Sequence, residues 1–152
     1  MENQKQIDVL NTLITINNDR IEGYETASKE TDEQDLKKLF TQFALTSQKC
    51  KKELGVEVLK LGSKPAEGTK TSGKFFREWM DVKAALTGKD RKAILNSCEY
   101  GEDVAVDTYK KVLKDNLSDI TGKQQKLLIS QHALIKADHD KVKSMRDALV
   151  EA

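Results

Sequence analysis

Ile7, Leu10, Ile14, Asn17, Ile21 and Tyr24 recur at alternating steps of three and four along IDVLNTLITINNDRIEGYETA. That spacing puts them on one face of a helix over about residues 4–29. The apolar run breaks at its centre, where Asn17 and Asn18 stand. A buried amide costs free energy unless it finds hydrogen-bond partners, so the break predicts that other helices bring polar groups to the same level. A second helix, over about residues 33–61, repeats the pattern with Leu36, Phe40, Phe43, Ser47, Cys50, Leu54, Val58 and Leu61. Its centre is again small and polar. Thr31 or Asp32 is suited to cap its start, and Gly62 its end.

Residues 62–73, GSKPAEGTKTSG, hold the only proline and read as a linker. KFFREWMDVKAAL follows and predicts a short amphipathic helix over about residues 74–87, anchored by Phe75, Phe76 and Trp79. A helix over about residues 90–115 carries two overlapping stripes. One is Leu95, Glu99, Glu102, Val106, Tyr109 and Leu113; the other is Ile94, Cys98, Gly101, Ala105 and Val112. The last helix, over about residues 123–150, offers Leu128, Gln131 or His132, Ile135, Asp138 or His139, Val142, Met145 and Leu149 to the interior. Short turns close each helix pair into an antiparallel hairpin, and the long central connection spans the length of the molecule. The expected fold is all-α: a ferritin-like four-helix bundle in one domain over residues 1–152, its two hairpins joined by a crossover that contains the short helix.

The halves also resemble each other. Gln42-Phe-Ala-Leu-Thr-Ser-Gln-Lys-Cys50 can be laid over Gln131-His-Ala-Leu-Ile-Lys-Ala-Asp-His139, which sets Cys50 on His139. Tyr24 laid over Tyr109 sets Asn17 on Glu102. This fits a duplicated hairpin around a pseudo-twofold axis.

Side by side, the helix centres bring together Asn17, Asn18, Ser47, Cys50 and Asp138 as a polar layer, with Glu99, Glu102 and His139 at the same level. Two-metal carboxylate bundles draw a Glu from one helix of each hairpin and a Glu-x-x-His pair from the other. Here Lys136-Ala-Asp-His139 and Ser47-Gln-Lys-Cys50 depart from that pattern. Three readings stay open: a degenerate metal site turned hydrogen-bonded layer; a non-standard iron or manganese site using Glu102, His139, Glu22, Glu25 and Glu99; or carboxylates and a histidine that face solvent.

Composition narrows the function. With 26 basic and 25 acidic side chains the chain has a formal charge of +1, which argues against a nucleic-acid binder. No apolar run reaches the roughly 20 residues a membrane span needs, and MENQKQIDVL lacks the layout of a secretory leader. The expected location is the cytoplasm. Cys50 and Cys98 make no disulfide framework, and no nucleophile motif or phosphate-binding loop is present.

NNDRIEGYETA, WMDVKAALTGKDRKAIL and CEYGED resemble an uncharacterised bacterial family of four-helix-bundle proteins in the ferritin-like superfamily, catalogued as a domain of unknown function. The resemblance runs from about Ile7 to Leu149. It implies a ferritin-like bundle in a bacterial cytoplasm and brings no activity with it. The expectation is therefore a non-enzymatic bundle protein that needs no cofactor and acts through a protein partner or as a homo-oligomer. Iron or manganese binding is the alternative.

Overall fold

The computed structural model describes residues 2–68 and 91–151. Four long helices carry the architecture: α1 (Glu2–Glu30), α2 (Gln34–Lys60), α3 (Arg91–Asp115) and α4 (Gly122–Glu151), with a 3-10 turn at Leu117–Asp119 before α4. The described residues are all-α and contain no strand. None of their helices is long and apolar enough to cross a membrane. The segment expected as a short crossover helix, with Phe75, Phe76 and Trp79, lies outside the described residues.

The ends of α2 follow local chemistry. Neither Thr31 nor Asp32 is its N-cap. That position is Glu33, which makes no side-chain cap bond, while the Thr31 hydroxyl accepts the Glu33 N–H at 3.3 Å. The tight turn leaves Thr31 buried, so its hydroxyl serves the turn rather than the helix. Gly62 closes the other end at φ 79. Ser63 N–H reaches the Val58 carbonyl (3.2 Å) and Gly62 N–H reaches that of Leu59 (3.0 Å). This is the paired bonding of a Schellman motif, which needs a residue at ease in the left-handed region.

Cross-helix hydrogen bonds give the directions. Asn17 meets Tyr109 and Tyr24 meets Glu102, so α1 and α3 run antiparallel. Gln131 meets the Cys50 carbonyl and Gln124 meets Glu57, so α2 and α4 do too. Chain leaving α2 at Lys60 must return to its other end, because Arg91 at the start of α3 grips Glu33 (3.0 Å) and Asp35 (2.5 Å). The first part of that connection is laid along α1. Asn11 Oδ1 accepts the Ala66 N–H at 2.9 Å, and Asn18 Nδ2 donates to the carbonyls of Ala66 (3.2 Å) and Gly68 (3.0 Å). Asn18 thus faces the connection and not the interior layer. At i and i+7 of one helix, Asn11 and Asn18 share a face, and it is not the face of Asn17.

The core falls into two apolar clusters. One contains Leu10, Leu13, Ile14, Leu54, Val58, Tyr109, Leu128 and Ile135. The other contains Tyr24, Leu36, Phe40, Phe43, Leu95, Cys98 and Val142. On α3 both expected stripes contribute: Ile94, Leu95, Cys98, Glu102, Ala105, Val106, Tyr109 and Val112 are buried. The material between the clusters is polar.

Candidate functional site

Arg20 sits at the centre of the molecule, its side chain fully buried. Its guanidinium donates to Ser47 Oγ at 2.5 Å, Glu102 Oε1 at 2.7 Å and Asp138 Oδ2 at 3.2 Å. One side chain of α1 thereby joins all three other helices. Tyr24, one turn further on, donates its hydroxyl to the same Glu102 oxygen at 2.6 Å, and its ring lies beneath the guanidinium at 5.5 Å. Burial alone would lower the Arg20 pKa. Glu102, Tyr24 and Asp138 outweigh it and raise the net value, so the cation is permanent.

A second chain of bonds lies beside it. Asn17 Nδ2 donates to the Leu13 carbonyl (2.8 Å) and to the Tyr109 hydroxyl (2.9 Å). Tyr109 donates to Gln131 Oε1 at 2.8 Å, and Gln131 Nε2 donates to the Cys50 carbonyl and Glu53, each at 3.2 Å. Burial pushes up both the Tyr24 and the Tyr109 hydroxyl, which keeps them protonated donors. The two tyrosine bonds are reciprocal. Tyr24 of α1 reaches Glu102 of α3, and Tyr109 of α3 is reached by Asn17 of α1. The overlay of Tyr24 on Tyr109 and Asn17 on Glu102 exchanges one bond for the other, as a pseudo-twofold relation requires. The second overlay is slipped by one residue. Buried Phe40, Phe43, Leu54 of α2 match buried Leu128, Gln131 and Val142 of α4 only when Cys50 falls on Asp138. Gln131 is buried, while its neighbour His132 is half-buried, its pKa lowered by burial and by Lys110 and Lys136.

Of the residues considered for a metal, only His139 and Glu99 come near each other. Glu102 is inside, held by Arg20 and Tyr24. Glu22 is exposed, and Glu25 is exposed where it accepts from Gln48 at 2.8 Å. His139 lies on the outer seam of α3 and α4, its Nε2 2.6 Å from Asp103 and 3.9 Å from Glu99, its Nδ1 3.1 Å from Asp140. Glu99 is paired with Arg146. On the α4 helix Asp138 and His139 point 100° apart, so only one of them can face Arg20. Among the described residues, no group of three or more His, Cys, Asp or Glu side chains is placed to hold a metal ion. The cation bonded to Glu102 and Asp138 is Arg20. Cys50 packs in one apolar cluster and Cys98 in the other. Both are free thiols, pushed up by burial, Cys50 to about 11, and neither is a reactive thiolate near neutral pH.

Asp138 is a carboxyl of the layer whose pKa is raised. Burial raises its carboxyl to about 6, against the pull of Arg20 and with a further push from Glu102. Between about pH 4 and pH 6 the folded chain therefore holds a proton that the unfolded chain has lost. The stability this group contributes is complete below pH 4 and is lost as pH rises through 6. Asp138→Asn keeps an acceptor for Arg20 and removes the titration. Urea unfolding should show the variant at least as stable as wild type at pH 7, by up to about 1–2 kcal/mol, with a flatter profile between pH 4 and 6.5. A variant less stable than wild type at pH 7 would mean that the ionised Asp138 is net stabilising.

Residues 5–115 match the family described as a domain of unknown function, DUF2383. The chain belongs to that family. The DUF2383 match takes in α1, α2, the connection and α3, and so includes Arg20, Tyr24, Ser47 and Glu102; Asp138 and Gln131 of α4 lie beyond it. A search of curated proteins finds no match.

Proposed function

We propose that the protein is a ferritin-like four-helix bundle of a bacterial cytoplasm that performs no enzymatic chemistry and works through its outer surface, on a protein partner or further copies of itself. The observation that carries this reading is Arg20 bonded to Glu102 and Asp138. The interior carboxylates already have a cation, supplied by the chain, and the interior is occupied by side chains at that level. Ferritin-like architecture is supported by the antiparallel pairing of α1 with α3 and α2 with α4 and by the long connection between the hairpins. The competing reading is an iron- or manganese-binding bundle. Loading with Fe(II) under anaerobic conditions, or with Mn(II), then gel filtration and elemental analysis, decides between them. The expected result is metal well below one ion per chain. Near-stoichiometric metal that disappears in Glu102→Ala/His139→Ala would overturn the proposal.

A further inference from the structure

The solvent face of α2 differs from the chain as a whole. Leu45, Val56 and Leu59 are 52%, 45% and 61% exposed. With Lys49 and Lys52, also exposed, they follow the steps 45, 49, 52, 56, 59, alternating four and three. That is the spacing of a coiled-coil seam, about 21 Å long at 1.5 Å per residue, and it lies opposite the buried stripe. From Lys38 to Lys60 no exposed residue of α2 is acidic. Glu57 is buried, and Glu53, half-buried, accepts from Gln131. A near-neutral chain thus concentrates cations and aliphatic side chains on one helical seam.

We propose that this face docks an acidic amphipathic helix of another protein, one with aliphatic side chains opposite Leu45, Val56 and Leu59 and carboxylates opposite Lys49 and Lys52. The inference rests on the reading that the outer surface carries the function, and it names the partner's chemistry. A second copy fits poorly. Antiparallel pairing of two α2 helices in the register that sets Leu45 on Val56 brings Lys49 against Lys52, and parallel pairing opposes both lysines to themselves, where like charges repel. A membrane surface also fits poorly. An interfacial helix keeps its lysines at the flanks of an unbroken apolar stripe, whereas Lys49 and Lys52 lie in line with it, where they would be deepest.

The probe is a synthetic labelled helical peptide with leucines at the three aliphatic contacts and glutamates at the two lysine contacts, titrated with the full chain by fluorescence anisotropy. Saturable binding is expected, weakened at least about tenfold in Lys49→Glu/Lys52→Glu. A peptide with lysines in place of the glutamates should bind that double variant and not wild type. Circular dichroism and urea midpoints establish that the exposed substitutions leave the fold intact. Equal binding of both peptides, or binding indifferent to the double variant, overturns the proposal. So does co-sedimentation with phosphatidylserine vesicles that the double variant loses while the peptide fails to bind. A dimer in sedimentation that Leu45→Ser/Leu59→Ser abolishes also overturns it and assigns the face to self-association. Failed peptide binding with no metal uptake removes only the α2 face, whereas stoichiometric metal removes the underlying functional reading whatever the peptide does.

Discussion

Arg20→Met should cost about 3–5 kcal/mol of unfolding free energy at pH 7, a large share of the roughly 5–15 kcal/mol that holds most domains folded. Arg20 is the cation bonded to Glu102, which is fully buried, and to Asp138, which is nearly so. Without it two carboxylates share an apolar interior with no counter-charge, and either they take up protons or the packing opens. The loss should therefore shrink as the pH is lowered towards 5. Arg20→Met/Glu102→Gln/Asp138→Asn should recover most of it, because replacing a whole buried ionic group by neutral side chains is often neutral or stabilising. Urea titrations of the single and triple variants at pH 5 and pH 7 test both statements. A single-variant loss below about 1 kcal/mol at pH 7 would mean that water reaches the cluster and screens it.

The second large effect is expected at Phe40. Its ring stacks on Tyr24 with centroids 5.7 Å apart, Phe43 meets Tyr24 edge-on at 5.2 Å, and Phe40 is fully buried. Phe40→Ala removes the transfer free energy of the ring and leaves a cavity, at a cost of about 3–5 kcal/mol. Phe40→Leu should cost distinctly less. The Ala variant should also loosen Tyr24, whose hydroxyl is bonded to Glu102. Cycles with Tyr24→Phe should accordingly show a coupling of about 0.5–1.5 kcal/mol. Additive single effects would mean that the aromatic cluster and the polar layer are energetically separate.

The four long helices were legible because their apolar repeats are long and strong. Helices expected at about 33–61 and 90–115 occur at Gln34–Lys60 and Arg91–Asp115. The interior layer was legible only in part. Asn17, Ser47, Glu102 and Asp138 interrupt apolar stripes, and such interruptions can be seen in a string of letters. Arg20 was not, because a charged residue is assigned to solvent by default. A signal was available. Leu10, Leu13, Asn17, Arg20, Tyr24 and Ala27 also alternate three and four, and all are buried. The stripe chosen through Ile14 and Ile21 is the neighbouring one, and Ile21 is only half-buried. On α3 the two stripes overlapped because each supplies part of a wide buried face, and only packing shows that Glu102 is buried while Glu99 stays at the seam with Arg146. Asn18 was misplaced because adjacent residues on a helix point about 100° apart, so an Asn-Asn pair divides between two surroundings. His139 sits next to Asp138 for the same reason, and reaches the seam instead of the centre.

The layer around Arg20 also fixes alignment. Aliphatic side chains are tolerant neighbours. Sliding α4 by one turn, about 5.4 Å, would let Leu128, Ile135 and Val142 find other aliphatic partners at little loss. The same slide would take Asp138 out of reach of Arg20 and Gln131 away from Tyr109 and the Cys50 carbonyl, leaving charge and amide without these partners. The cost of every wrong register is thus set by a few polar atoms rather than by the many apolar ones. Even in the right register Arg20 Nε, Glu102 Oε2 and Asn17 Oδ1 find no hydrogen-bond partner among the described residues. Arg20 reaches Ser47, Glu102 and Asp138 together in one register of the four helices.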